Sequence, residues 1–494
     1  MAIRKVCGIE TEYGISVRGA DSNPVAASSV LINAYIATLD RRTVWDFEDE
    51  SPGIDARGFA VEGALPPEVE THLVNTVLTN GSRYYVDHAH PEVSTPECVD
   101  AMEVVVFDRA SEEVLKRSMV AARSLLPDGA EIIVYKNNSD GKGNSYGCHE
   151  NYLLARELPF GRLVSQITPH FVTRQVFCGA GKVGSESPGV PSAEVPFQLS
   201  QRADFFEEEV GLETTLKRPI VNTRDEPHCD GQRYRRFHVI VGDANRSEVA
   251  TFLKVGTTAI VLSMIEDDGL GTDLVLANPV PAIRSVSHDP SLHRTVLLRS
   301  GRRVTALELQ WSLLERAQKY ERSHGLVSVG EAVGSDVLHR WEAVLAGLEH
   351  DRESVAGWVD WVAKERLVEG YRERHGLSTT DARLKALDIQ YHDLRPDRSL
   401  AARVGLERIV DPDDAVAAMT TPPTTTRAYF RGRCLDKWPD DIVAANWDSM
   451  VFDLGRDPLR RVPMMEPLRG TEAHVGRLID DSETAAELLA KLGS

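Results

Sequence analysis

A short strand with three polar side chains on one face is the feature that most constrains the fold of this chain. Tyr84 and its neighbours favour a β-strand, which sends alternate side chains to opposite faces. Arg83, Tyr85 and Asp87 would therefore share one face. A guanidinium, a phenol and a carboxylate make a poor hydrophobic core but a suitable floor for an anionic ligand. The alternative is a solvated sheet face with an ordinary Arg–Asp pair, and this segment alone leaves both interpretations open.

The N-terminal segment adds a second strand with polar side chains. Residues 3–15 have the composition of a strand, in which Glu10 and Glu12 point to the same side. Two like charges on one face repel unless a cation or a basic side chain lies between them. Carboxylate oxygens suit magnesium, above all when phosphate oxygens complete its coordination, and Glu92 could supply a further carboxylate. We therefore predict metal ligands here, with an exposed acidic edge strand as the alternative.

Two later segments place histidines beside predicted strands. A glycine-rich loop at 135–148 leads to His149, and Arg236 and His238 share a face of a later strand. A lone histidine in a strand is usually structural. In a chain with three acidic candidate ligands, we count His149 and His238 as further candidates for the metal site.

Charge and cysteine content exclude several classes of protein. The 494 residues are enough for a large core and a second, smaller domain. With 56 Lys and Arg against 75 Asp and Glu, the formal charge of −19 argues against binding nucleic acid or a membrane surface. The six cysteines contain no Cys-x-x-Cys pair, so we predict reduced thiols rather than a disulfide framework or a zinc site. Without a signal peptide or an apolar run long enough to cross a bilayer, we expect a cytoplasmic protein, and we favour a monomer.

Strand-like and helix-like segments alternate along the chain without a repeat. Residues 40–78 lack sustained periodicity and are interpreted as a long loop or insertion. Residues 420–426, rich in Thr and Pro, are interpreted as a linker, which divides the chain into a domain at 1–418 and a small domain at 419–494. Periodicity predicts helices over 27–41, 111–126, 248–266, 305–321, 337–348 and 355–371, and strands over 131–136 and 237–242.

Residues 179–184 match the G-x-G-x-x-G pattern of dinucleotide-binding proteins. That pattern must run straight into a helix whose N-terminus takes the pyrophosphate. Pro188 and Pro191 follow closely and exclude such a helix. We therefore interpret these glycines as a mobile loop.

Five motifs occur in a fixed order over essentially the whole chain. They are Gly8-Ile-Glu-Thr-Glu-Tyr-Gly14, Asn80-Gly-Ser-Arg-Tyr-Tyr-Val-Asp87, Asn144-Ser-Tyr-Gly-Cys-His-Glu-Asn-Tyr152, Asn222-Thr-Arg-Asp-Glu-Pro-His228 and His238-Val-Ile-Val-Gly-Asp-Ala-Asn245. Together they resemble the Pup ligase/depupylase family, which belongs to the carboxylate–amine ligases of glutamine synthetase type. The resemblance implies an α+β fold in which a curved antiparallel sheet cradle packs on helices. A small C-terminal domain would contribute to the nucleotide site.

The resemblance also implies roles for individual residues. Asp87 would be the catalytic base or nucleophile. The magnesium ligands would be Glu10, Tyr85 and Glu92, and the nucleotide contacts would be Arg83, Thr95 and Trp447. The residue types support Tyr85 less well than the carboxylates, since a neutral phenol is a weak magnesium ligand.

Within this family, two features favour the hydrolytic branch over the ligating branch. They are the insertion at 40–78 and the short spacing in Asp87-His-Ala-His-Pro-Glu92. The implied activity is nucleotide-dependent amide hydrolysis, which deamidates the C-terminal glutamine of the ubiquitin-like protein Pup and cleaves the bond between Pup and a substrate lysine. The implied cofactors are Mg²⁺ and ATP, or ADP plus phosphate, and the partners are Pup and pupylated proteins. Ligation of Pup and non-catalytic, regulatory Pup binding are the alternatives.

Three further roles are hypotheses from residue type. Arg202 or Arg224 could stabilise charge on the substrate carbonyl oxygen, although either could be an ordinary ion-pair partner. Pup is acidic, so its docking requires a local basic groove that the net charge conceals. The candidates for that groove are Lys217-Arg218, Arg233, Arg235-Arg236 and Arg302-Arg303. The insertion at 40–78 would gate the site.

Overall fold

The fold is built on one large, mostly antiparallel sheet. The computed structural model describes residues 1–20, 23–39, 43–48, 50–61, 73–455 and 457–493. Its strands are β1 (Cys7–Glu12), β2 (Gly14–Arg18), β3 (Thr43–Trp45), β4 (Ile54–Asp55), β5 (Phe59–Ala60), β6 (Asn75–Val77), β7 (Arg83–Asp87), β8 (His90–Ser94), β9 (Glu131–Tyr135), β10 (Cys148–Ala155), β11 (Lys182–Val183), β12 (Phe197–Gln198), β13 (Phe206–Gly211), β14 (Arg218–Asn222), β15 (Tyr234–Val239), β16 (Thr295–Leu297), β17 (Arg303–Thr305), β18 (Ile442–Ala445), β19 (Ser449–Phe452) and β20 (Arg460–Pro463). Ten of them form the large sheet, in the order β15-β10-β1-β8-β7-β6-β3-β18-β19-β20.

The register of the sheet brings distant polar residues together. Glu12 of β1 lies opposite Glu92 of β8, which in turn lies opposite Tyr85 of β7. On its other side, β1 places Glu10 opposite His149 of β10. Because side chains alternate along a strand, these residues lie on one face of the sheet.

The opposite face of the sheet packs on helices. Ile9, Tyr84 and Val93 project to that side and are buried in the main hydrophobic core. The helices are α1 (Pro24–Ile36), α2 (Ala101–Ala122), α3 (Phe160–Thr173), α4 (Gln175–Cys178), α5 (Glu248–Glu266), α6 (Pro279–Ser287), α7 (Ala306–His324), α8 (Glu331–His350), α9 (Asp360–His375), α10 (Ala382–Tyr391), α11 (Pro412–Ala417), α12 (Ala428–Lys437), α13 (Glu472–Asp480) and α14 (Ala485–Leu492). The predicted α+β class, with a largely antiparallel sheet on helices, is confirmed.

Helix α5 corrects one expectation from the sequence. It coincides with the helix predicted over 248–266, and Ser247 caps it by accepting from the backbone N–H of Ala250. Contrary to our expectation, this helix is long and apolar enough to cross a bilayer. Its apolar stretch is entirely buried inside the protein, as in the central helix of a packed core.

The segment interpreted as a loop contributes two strands to the large sheet. β3 and β6 pair with each other, and β6 also pairs with β7. The interpretation as a long loop is therefore wrong for these residues. The short strands β4 and β5 form a separate pair between them, and residues 40–42, 49 and 62–72 lie outside the described part of the chain.

The C-terminal segment extends the same sheet while keeping a core of its own. β18 pairs in parallel with β3, and β19 and β20 continue from it. A separate hydrophobic cluster includes Trp45, Phe430, Trp438 and Phe452. The proposed division at 418/419 stays a prediction.

The glycine-rich segment at 179–184 is buried and closely packed, so the prediction of a mobile loop is wrong. A Cβ atom on Gly179 would lie 2.3 Å from the carbonyl oxygen of Leu199. Gly181 has φ of +71° and packs against Trp361. The segment contains the short strand β11 and runs into described residues 185–192 without a helix, which agrees with the rejection of a dinucleotide-binding turn.

Candidate active site

The polar face of the sheet forms the floor of a cleft of about 420 Å³. Strands β1, β7, β8, β10 and β15 present their polar side chains to it, and the segment that follows β14 forms part of its wall. Most of the predicted site residues line this cleft: Glu10, Arg83, Tyr85, Asp87, Glu92, His149, Arg224, His238 and Trp447.

Three carboxylates meet at the floor of the cleft, where Asp87 and Glu92 belong to the lining and Glu12 does not. Oxygen atoms of Glu12, Asp87 and Glu92 all lie within 4.8 Å of one another. Burial raises the pKa of Glu92 well above its usual range, and the neighbouring charges of Asp87, Glu12 and Glu10 raise it further. A divalent cation among these oxygens would remove that repulsion, so the donor set fits Mg²⁺.

Glu12 stays ionised in the same cluster because it has donors of its own. One carboxylate oxygen accepts from the backbone N–H of Gly147 at 2.8 Å, and the other lies 3.6 Å from His90 Nδ1. Burial acts to raise the pKa of Glu12, but His90, His149 and the Gly147 amide outweigh it and lower the pKa to about 2. The cluster thus combines one firmly charged carboxylate with one that resists ionisation.

A second group of possible ligands lies beside the first. Glu10, His149 and His238 place one ligand atom each within 4.8 Å of the others. Asn151 donates to Glu10 at 2.7 Å, and its Oδ1 accepts from Arg236 at 2.8 Å and lies 3.1 Å from His238 Nδ1. If His238 Nδ1 carries the proton toward this oxygen, Nε2 presents its lone pair.

The His238 Nε2 atom is buried and has no hydrogen-bond partner among the described residues. An unpartnered imidazole nitrogen next to a carboxylate is a donor that a metal ion can use. Burial acts to raise the pKa of Glu10, but His149, His238 and Arg236 outweigh it and hold the pKa well below its usual range. The residues therefore fit a second divalent cation.

Tyr85 lies next to Glu92 as a neutral phenol. Burial raises its pKa well above the usual range, and the adjacent Glu92 carboxylate adds to the shift. Its hydroxyl lies 3.4 Å from Ser94 Oγ. The aromatic ring also supports Arg83, whose guanidinium carbon is 4.0 Å from the ring centre.

Arg83 is held between two aromatic rings at one end of the cleft. Besides Tyr85, it lies 4.0 Å from the ring of Trp45, whose other neighbour is Trp447 with ring centres 5.3 Å apart. The Arg83 Nε donates to Asn75 at 3.0 Å. A fixed guanidinium near the half-buried Trp447 ring suits a nucleotide, because the guanidinium can pair with phosphate while that ring contacts the base.

Thr95 supports this end of the site through the backbone. Its buried hydroxyl oxygen accepts from the Ile9 N–H at 3.1 Å. Thr95 lines a smaller pocket of about 90 Å³ that shares Glu10 and Trp447 with the main cleft. Arg83, Thr95 and Trp447, the three predicted nucleotide contacts, thus line either the main cleft or the smaller pocket next to it.

Asp87 ends β7 and remains accessible from the cleft. Its side chain is 29% exposed, and Oδ2 lies 3.0 Å from Nδ1 of His88. His88 has φ of +51°, which turns the chain sharply between β7 and β8. The turn leaves the carboxylate at the edge of the metal-ligand cluster, where a substrate can reach it.

The two candidate oxyanion arginines are placed differently. Arg224 lines the cleft. Arg202 is buried outside the cleft lining and donates to the carbonyl oxygen of Ile240. Burial lowers the pKa of Arg202 to about 10. Geometry therefore favours Arg224 for direct contact with a substrate.

Sequence reasoning did not identify the roles of Trp45 and Asn151. Trp45 lies in the segment interpreted as a loop, and only its pairing in β3 brings it onto Arg83. Asn151 follows His149 by two residues in β10, so the alternation of strand side chains could have placed it on the site face.

Comparison with known proteins identifies the family. Residues 5–451 match the model of the family described as Pup-ligase protein. The chain is 53% identical to a depupylase of Acidothermus cellulolyticus and 48% identical to a Pup deamidase/depupylase of Mycobacterium tuberculosis, with 99% of each chain covered in both comparisons.

Two solved structures share the fold. The complex between Pup and its ligase PafA superposes with a TM-score of 0.81 at 32% identity, over 99% of this chain and 94% of that chain. The Pup ligase PafA in complex with ADP gives a TM-score of 0.74 at 36% identity, over 82% of this chain and 89% of that chain. The chain therefore belongs to the Pup-ligase family.

Proposed function

We propose that this protein is a nucleotide-dependent hydrolase of Pup amides. It deamidates the C-terminal glutamine of Pup and cleaves the isopeptide bond between Pup and substrate lysines. The placement of Asp87 carries the proposal, because this accessible carboxylate adjoins two groups of metal ligands and the Arg83 pocket in one cleft. The names of the relatives with 53% and 48% identity support hydrolysis over ligation.

Each group of residues has a distinct task. Glu12 and Glu92, with Glu10, His149 and His238, hold Mg²⁺, and Arg83, Thr95 and Trp447 hold ATP, or ADP with phosphate. When bound, these cofactors supply positive charge and phosphate oxygens beside Asp87. Tyr85 contributes by supporting Arg83 and Glu92 rather than as an anionic ligand.

Asp87 acts on the amide carbonyl as base or nucleophile. An amide is a poor electrophile, so the attack needs an activated oxygen and a partner for the developing negative charge. Arg224 supplies that partner from the cleft wall, and the buried Arg202 is the second candidate. Ammonia or the lysine amine leaves, and water supplies the oxygen of the new carboxylate, either in the attack itself or by hydrolysing the intermediate formed on Asp87. Because amide hydrolysis needs no energy input, the nucleotide is retained, and consumption of one ATP per cleavage would contradict this mechanism.

A single assay tests the proposal. The purified protein is incubated with glutamine-ended Pup, Mg²⁺ and either ATP or ADP plus phosphate, and mass spectrometry follows conversion of Gln to Glu. We expect nucleotide-dependent conversion, and Asp87→Asn should reduce its rate by on the order of a hundredfold or more. Asp381→Asn is the matched control, because Asp381 caps α10, pairs with the exposed Arg383 and lies outside the cleft lining, and asparagine caps a helix equally well.

The same assay separates the alternatives. Transfer of glutamate-ended Pup onto a lysine substrate with consumption of ATP, and no deamidation, would make the protein a ligase. Tight binding of Pup with neither reaction would make it a regulator. Size-exclusion chromatography with light scattering tests the predicted monomer.

A further inference from the structure

A buried arginine outside the cleft connects the parts of the nucleotide pocket. Arg431 of α12 donates to the carbonyl oxygens of Gly81 at 3.0 Å and Trp447 at 3.1 Å. It also donates to both carboxylate oxygens of Glu97. Its guanidinium carbon lies 5.2 Å from the centre of the Trp447 ring. One side chain therefore bonds to three segments that are far apart in the sequence.

Each of these segments carries one predicted nucleotide contact. Gly81 lies two residues before Arg83, and Glu97 lies two residues after Thr95. Trp447 is itself the third contact. Arg431 is fully buried and is not among the residues that line either pocket, so it acts on a ligand only through the groups it holds.

The Glu97 carboxylate balances the positive charge of Arg431. Arg427 donates to it at 2.7 Å, alongside Arg431. Burial acts to raise the pKa of Glu97, but Arg431 and Arg427 outweigh it and lower the pKa to about 2. An ion cluster this buried holds its geometry closely, since removing one partner leaves an uncompensated charge.

Close backbone packing fixes the position of α12 on the sheet. A Cβ atom on Gly432 would lie 2.1 Å from the carbonyl oxygen of Thr79, so only glycine allows this approach. On the other side of the contact, a Cβ atom on Gly81 would lie 3.1 Å from that of Ala428. The helix thus brings Arg431 directly against the turn that leads into β7.

We propose that Arg431 is a positioning residue that sets the spacing of Arg83, Thr95 and Trp447 around the nucleotide. The inference rests on the proposed nucleotide site and adds a residue that the ligand does not touch. A guanidinium forms hydrogen bonds in several fixed directions, whereas a lysine ammonium offers a single point of charge. Besides its charge, Arg431 therefore contributes a geometry that lysine cannot reproduce.

The test compares Arg431→Lys, Arg431→Met and Lys136→Met. Lys136 is a matched control, because it is equally buried, pairs with Asp108 and Glu112, and lines neither pocket. Affinity for Mg·ADP is measured by calorimetry, the KM for ATP and the kcat are measured in the Pup assay, and folding is followed by thermal unfolding.

We expect Arg431→Lys to keep most of the thermal stability but to weaken Mg·ADP binding by about tenfold. The KM for ATP should rise, while kcat at saturating ATP changes little. Arg431→Met should lose both affinity and stability, and Lys136→Met should lose stability alone. If the unaltered protein binds Mg·ADP and Arg431→Lys binds it equally well, the inference is wrong. If the unaltered protein binds no nucleotide, the proposed site is wrong and the inference falls with it.

Discussion

Glu92 is a buried carboxylate at 2% exposure, surrounded by the acidic side chains of Asp87, Glu12 and Glu10. A raised folded-state pKa means that the folded protein resists ionisation of this group at neutral pH. At any pH above the pKa that a glutamate has in the unfolded chain, Glu92 therefore lowers the stability of the folded protein. Binding of a cation removes this cost. Glu12 lies opposite Glu92 in the sheet, yet its lowered pKa makes its charge favour folding.

The two glutamates should respond oppositely to the same substitution. Without Mg²⁺ at neutral pH, Glu92→Gln should increase the free energy of unfolding by on the order of 1 kcal/mol, since it removes a carboxylate that must take up a proton on folding. Glu12→Gln should decrease it. Both variants should lose most of the stabilisation that Mg²⁺ gives the unaltered protein. Thermal unfolding with EDTA and with Mg²⁺ measures these changes, and a destabilised Glu92→Gln variant in EDTA would contradict the assignment.

The pH dependence of cation binding follows from the same residue. Because Glu92 must lose a proton to become a ligand, Mg²⁺ affinity should increase as the pH rises through the raised pKa of Glu92. Calorimetry in buffers of different ionisation enthalpy should show proton release on binding. Equal heats in all buffers would mean that Glu92 is already ionised.

At the scale of elements, the segment around β4 and β5 is tied to the wall of the cleft. Asp55 accepts from the Thr223 hydroxyl at 2.6 Å, and the N–H of Ala56 donates to the Thr223 carbonyl oxygen at 2.8 Å. Glu50, earlier in the segment, accepts from Trp45 Nε1 at 2.7 Å and lies 3.8 Å from Arg83. Movement of this segment would therefore alter both the substrate wall and the nucleotide end.

Asp55→Ala tests whether the segment gates the site. We expect faster hydrogen exchange over residues 50–61 and a change in kcat of about fivefold or more, because a buried acceptor is lost and the Thr223 hydroxyl loses its hydrogen bond to it. Arg57→Met is the control, since it removes the Asp55–Arg57 ion pair while keeping the Thr223 contact. Faster exchange with unchanged turnover would show that the segment is a surface element without a gating role.

Alternation along single strands was enough to predict which side chains share a face. Arg83, Tyr85 and Asp87 on β7, and Glu10 and Glu12 on β1, lie as their spacing indicates. The register between strands depends on packing over the whole core, so the sequence could not place Glu12 opposite Glu92. The sequence could not place Trp45 on Arg83 either. A three-residue strand such as β3 has too few residues for a periodic signal.

At the scale of the whole molecule, a chain of formal charge −19 must bind an acidic partner in the proposed function. Arg83, Arg224 and Arg236 line the cleft, but the carboxylates of the floor balance them. Lys217 is exposed and follows the cleft-lining residues Leu212 and Thr215 along the chain. It is therefore well placed to attract Pup toward the entrance.

Charge reversal tests this attraction. Lys217→Glu should weaken Pup binding by roughly fivefold at low salt, and the difference should shrink as salt increases. Arg302→Glu, the same charge change in the exposed β16–β17 turn outside the cleft, should have a smaller effect. Fluorescence anisotropy with labelled Pup measures both, and affinity that is independent of salt would rule out the basic groove.

The parallel pairing of β3 with β18 has a consequence for biosynthesis. β3 is translated long before its parallel neighbour β18 and the Trp447 side of the nucleotide pocket. Such long-range pairing waits until both strands are available, and it slows folding. The strands that carry the carboxylates are therefore synthesised before the nucleotide pocket can be completed. The enzyme becomes competent only after β18 and Trp447 have been synthesised, so a translation product that stops before them would have no hydrolytic activity toward Pup.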